Sequence, residues 1–127
     1  MSNNKPNPDF LADFVAKATT AGADAADAVM IQSASSSASW RMGRNEGIES
    51  AESSDVGLRV MVGQGQAVVS STDLNASALR ELIERAVTMA RNAPEDEYAG
   101  LPSADVLAET VVDLDLADAE IHSSSIL

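Results

Sequence analysis

"GLRVMVGQGQAVVSSTDL", residues 57–74, decides the fold. Val56, Leu58, Val60 and Val62 recur at every second position, the period of a strand with one buried face. Gly63-Gln64-Gly65 supplies residues that tolerate positive φ, and Ala67, Val68 and Val69 begin a return strand. The stretch is therefore a β-hairpin that passes through Thr72 and Asp73 into a helix start. Its glycines also invite a phosphate-loop reading, but such a loop must open directly into a helix N-terminus, and these lead into a strand.

Downstream of the hairpin, Asn75 can cap a helix over 75–93 in which Leu79, Leu82, Ile83, Ala86, Val87 and Ala90 form one apolar stripe. On its other side, Arg80 with Glu84 and Glu81 with Arg85 have the i,i+4 spacing of helical ion pairs. Upstream, GRNEG at 43–47 has turn composition, and the residues up to Asp55 alternate weakly, as a less strongly marked strand would. AADAVMIQ, from Ala25, has strand character. In the serine-rich stretch that follows, Ala38, Trp40 and Met42 share one face while Ser39 and Arg41 share the other. A flexible linker would not interleave Trp and Met at period two. At the start, Asn7-Pro8-Asp9 combines a capping side chain, a proline at the first helical position and an acid near the positive helix end, so a helix runs over 8–21 and stops at Gly22.

The expected architecture is α+β: a helix, an antiparallel meander of four or five strands, and a second helix, with both helices on one face of the sheet. Leu58, Val60, Val62 and Trp40 are the expected inward partners of the helix stripe. Residues 1–94 form this domain, and 95–127 are an acidic linker or the start of a next domain. Apolar residues make up 45% of the chain but aromatics only 3%, so the core is expected to be thin and built from small side chains.

Charge is unevenly placed. Residues 1–94 hold all eight Lys and Arg with eleven Asp and Glu, a net of −3, whereas 95–127 hold nine acids and no base, a net of −9. Such a chain repels phosphate backbones, which argues against direct nucleic-acid binding. No stretch has the roughly 20 apolar residues of a membrane span, and MSNNKPNPDF lacks the basic and apolar regions of a signal peptide, so a cytoplasmic location is expected. There is no cysteine, hence no disulfide and no thiolate chemistry.

Candidate chemistry is sparse. The lone histidine, His122, lies beside Ser123, Ser124 and Ser125, but triads are assembled across a fold and sequence adjacency says little. No HExxH-like metal motif is present. Glu46, Glu49, Glu52 and Asp55 lie within ten residues. As a strand, this segment places Glu46 and Glu52 on one face and Glu49 on the other, the layout of a charged sheet surface. Trp40 could stack on a ligand, although a Trp on an alternating apolar face is more often core. The residues themselves assign no catalytic, metal or cofactor-binding position.

Three segments taken together resemble the N-terminal domain of the PmbA/TldD family, known as modulators of DNA gyrase and regarded as metallopeptidases. They are AGADAADAVM after the first helix, GIESAESSDVGLRVMVGQGQAVVSSTDL, and ALRELIERAVTMARNAPEDEYAGLP. The resemblance covers about residues 10–116, and PEDEYAGLP is more like the PmbA (TldE) branch than TldD. It implies that this sequence is the N-terminal portion of a longer protein, in keeping with its apolar end at Ile126-Leu127. The HExxxH motif of TldD matches no position here, so no catalytic, metal or cofactor residue is carried over. The implied role is that of a PmbA-like subunit, without its own catalytic residues, which pairs with a zinc-bearing TldD-like subunit in a cytoplasmic peptidase acting on peptides. A homo-oligomer and a direct interaction with DNA gyrase are the alternatives.

Overall fold

The computed structural model describes residues 7–116, so His122, the serines beside it and Ile126-Leu127 lie outside the described residues. The element order is α1 (Pro8–Thr20), β1 (Ala25–Arg41), β2 (Arg44–Val62), β3 (Gly65–Ser71), α2 (Ala76–Asn92) and a single 3-10 turn at Ala104–Val106. The three strands form one antiparallel sheet in the order β1-β2-β3. The described residues fall into two compact units, one of residues 7–32 with 53–101, the other of 33–52 with 102–116.

The first helix starts and stops where its residue chemistry directs. The Asn7 side chain accepts the Asp9 amide at 3.0 Å, and Pro8 occupies a position whose amide would have no helical partner. At the other end Gly22 takes φ +112°, the Ala23 amide donates to Ala18 and the Gly22 amide to Thr19, which closes the helix in a Schellman motif. The second helix begins at the expected place by another route. Asn75 is its N-cap residue but makes no side-chain cap bond; its amide and side chain both donate to Asp73 Oδ1, at 3.0 and 2.7 Å.

The hairpin of residues 57–74 is as expected. Val62 pairs with Gly65 around a two-residue turn, and Gly63, at φ +57°, is the residue of that turn needing the left-handed region. The register Leu58↔Val69, Val60↔Ala67 and Val62↔Gly65 places these residues on one face. That face joins the stripe of α2 and Phe14 and Ala18 of α1 in one core cluster, with Val56, Leu58 and Val60 fully buried. The core is built from small side chains, with Phe14 the one buried aromatic among the described residues.

Three points differ from expectation. The sheet has three strands because the serine-rich stretch does not break β1 and the weakly alternating 47–55 is continuous with 56–62. Trp40 is not core but 58% exposed. Residues 33–52 hold no buried side chain, so the alternation that continues there along β1 has no core beneath it. Finally, the α2 pairs Arg80 with Glu84 and Glu81 with Arg85 do not close; the ion pairs among the described residues are Asp13–Lys17, Arg41–Glu46 and Asp27–Arg59.

Candidate functional site

The unit of residues 7–32 and 53–101 offers two concavities. Between α1 and α2 a groove of about 590 Å³ has a floor of Phe10, Phe14, Leu74, Leu79 and Ile83. The two Phe rings stack at 6.0 Å. On the rim, Lys17 and Asp13 pair at 2.6 Å, and Arg80 and Glu84 stand opposite. Positive and negative groups alternate there, so the rim has no net preference for an anion or a cation.

The second concavity lies on the sheet face turned away from the helices. Gly57 has no side chain, and beside it a hollow of about 270 Å³ is lined by Asp27, Val29, Arg59 and Val68. A Cβ at Gly57 would come within 3.2 Å of Val29 Cγ1, so the glycine keeps the hollow open and β1 close. Arg59 Nε and Nη2 donate to the two Asp27 carboxylate oxygens at 2.9 and 2.6 Å, a bidentate fork across β1 and β2. The hydrogen bond from Arg59 holds the Asp27 carboxyl below the ordinary carboxylate range, with partial burial opposing it. The same bond raises the Arg59 guanidinium. A depressed folded-state pKa means that the pair stabilises the domain above the unfolded value of 3.8 and that this contribution is lost as pH falls below it. Both side chains are more than a third exposed, so the effect is at most about 1 kcal/mol.

Neither concavity contains a nucleophile beside a base. Glu46, Glu49 and Glu52 are exposed and Asp55 is half-buried. No group of three or more His, Cys, Asp or Glu residues capable of holding a metal occurs among the described residues. The Gly63 amide, which a phosphate loop would offer to an anion, donates to Asp24 Oδ2 at 2.7 Å. Every buried side chain among the described residues is apolar. No helix among them is long and apolar enough to cross a membrane.

Sequence reasoning missed the Asp27–Arg59 fork and the interhelical groove. The fork depends on which residue of β1 faces which residue of β2, and that follows from the position of the Met42-Gly43 turn. Gly43 was legible as a turn residue, but Met42, which takes φ +51°, carried no such signal.

Comparison with known proteins agrees with this architecture. The family description "PmbA/TldA metallopeptidase domain 1" matches residues 26–90. A metalloprotease PmbA homolog from Haemophilus influenzae is 32% identical over 111 residues, which make up 85% of this chain and 24% of the relative. A solved structure from Bacteroides thetaiotaomicron, described as a candidate modulator of DNA gyrase, superposes with a TM-score of 0.78 at 21% identity, covering 87% of this chain and 25% of that one. At that identity the likeness speaks for the fold alone. The chain spans about a quarter of the length of both relatives.

Proposed function

Because the chain belongs to the PmbA/TldD family and matches its first domain, we propose that it is a supporting module of a PmbA-like subunit in a cytoplasmic, metal-dependent peptidase. In this reading it walls the substrate channel and offers a strand edge to extended peptide. Zinc and the bond-breaking groups reside in a TldD-like partner subunit. The observation that carries the reading is the chemistry of the core: among the described residues every buried side chain is apolar, and the one cross-strand pair of charged groups beside a concavity, Asp27 with Arg59, is more than a third exposed. Hydrolytic sites instead hold desolvated titratable groups close together.

The edge suited to peptide is β3. Residues 65–71, GQAVVSS, contain no charge and no proline, the features with which proteins usually blunt an exposed edge. Since Val62 and Gly65 close the turn as a hydrogen-bonded pair, the amides of Gln66, Val68 and Ser70 point away from β2. Backbone pairing there binds peptide with little demand on its sequence. Val68→Pro removes one outward amide while leaving the ladder to β2 intact. An unfolded, uncharged fluorescent peptide is expected to bind the chain about five-fold more weakly after this change, as read by anisotropy. Equal binding by both proteins would exclude β3 as the peptide edge.

The second reading, direct interaction with DNA gyrase, draws on residues 95–116, which are exposed or half-buried throughout and hold seven acids and no base. The acids are unevenly spaced and interrupted by exposed Val106, Leu107, Val111 and Val112, whereas a DNA mimic needs a regular array near phosphate spacing. The scaffold reading stands ahead of it on that ground.

A further inference from the structure

The groove between α1 and α2 pairs an apolar floor with two open charges. Its volume of about 590 Å³ is that of a small-molecule site, and Phe10, Phe14, Leu79 and Ile83 give it a surface on which an apolar side chain can lie. On the α2 rim stand Arg80 and Glu84. Both are exposed, and neither has an oppositely charged group within 4.0 Å among the described residues. Across the groove Lys17 is already paired, 2.6 Å from Asp13. Arg80 precedes Glu84 by four positions, the less favourable order for an ion pair along a helix, because the cation then sits toward the positive end of the dipole. One cation and one anion are thus held open side by side, with Cβ atoms about 5–6 Å apart.

We propose that this groove is a binding site for a very short apolar peptide with both termini free. Charge complementarity selects that occupant. The carboxylate of the peptide meets Arg80 and its ammonium meets Glu84, so both open charges are satisfied at once. A fatty acid brings a carboxylate alone and sets it beside Glu84, and an apolar amine meets the same conflict at Arg80. Length agrees as well: two extended residues span about 7 Å, close to the separation of the two rim groups. Lying along α2 in this way, the peptide leaves an apolar side chain over Phe10, Phe14, Leu79 and Ile83. The site differs in kind from the β3 edge, which reads backbone and for which two residues are too few to add a strand.

Calorimetric titration of the 127-residue chain with the dipeptide Leu-Phe tests this. Leu-Phe is expected to bind with a dissociation constant of about 1 mM or below. Acetylating its amino end and amidating its carboxyl end are each expected to weaken binding about five-fold, the upper end for an exposed ion pair. Arg80→Gln is expected to bind the free acid and the amide equally while still preferring the free amine, and Glu84→Gln to show the converse. Arg80→Lys keeps the charge and is expected to keep the preference for the free acid. Val68→Pro, which alters the β3 edge, is expected to bind Leu-Phe as the original chain does, so failure of that edge and failure of this site are read separately. No binding at about 10 mM, capped peptides that bind as well as free ones, as a groove built for a partner helix would show, Gln variants that distinguish the termini as the original chain does, or weaker binding by Val68→Pro would each overturn the site.

Discussion

Replacing Gly65 by alanine is expected to cost about 3 kcal/mol of stability, the upper part of the usual range for overpacking and a large share of the roughly 5–15 kcal/mol that holds a domain of this size together. Gly65 opens β3 directly beneath the last turn of α2, and a Cβ there would overlap the Ala90 carbonyl oxygen and crowd the Ala90 carbonyl carbon. Both are backbone atoms of a helix, so no side-chain rotation relieves the contact. Either β3 or the end of α2 must move, and α2 supplies Leu79, Leu82, Ile83, Ala86, Val87 and Ala90 to the core. Gly47→Ala is the control, because nothing lies within 4 Å of a Cβ there. Urea unfolding should leave the Gly47→Ala midpoint within the span of about 0.5 kcal/mol and shift that of Gly65→Ala several-fold further. Similar midpoints for the two would show that β3 and α2 do not pack as closely as described.

Leu58→Ala is expected to be comparably damaging, at about 3 kcal/mol, because it removes buried methyl groups and leaves a cavity that few neighbours can fill. Leu58 is fully buried and is the bulkiest of the completely enclosed side chains among the described residues. Its cross-strand neighbour is Val69. Many of the surrounding core residues are alanines, whose single methyl groups cannot swing into the space. Val68→Ala, one position along the neighbouring strand but 67% exposed, should change stability by less than about 0.5 kcal/mol. If Leu58→Ala unfolded at the same urea concentration as Val68→Ala, the β2 face toward the helices would not be the core.

How much of this was legible in the residues depended on what each pattern reports. Both helices were, because Asn7-Pro8-Asp9 and Gly22 mark ends as well as a face, and because the α2 stripe repeats over several turns. The 57–74 hairpin was legible for the same reason: alternation and turn chemistry agree. The strand count was not. Apolar alternation records whether something covers a strand, so where it weakened, at 33–39 and again at 47–55, the uncovered part of one long strand read as a separate, weaker strand. Trp40 was misplaced by that same ambiguity, since period two assigns a face and not a depth. The expectation that no residue here carries chemistry rested on the residue types themselves. The Asp27–Arg59 fork, by contrast, joins residues 32 positions apart through a register that no local pattern contains.

The family places a metallopeptidase name on this chain, and its buried side chains among the described residues are entirely apolar. The central claim is that the chain supports a site supplied by other polypeptide. Its most direct test is to measure zinc content and hydrolysis of an unfolded peptide on the purified 127-residue chain, freed of other proteins and supplied with excess zinc. The account predicts less than about one-tenth of a zinc per chain after desalting and no cleavage above the protein-free control. One tightly held zinc per chain together with cleavage that a chelator abolishes would contradict it.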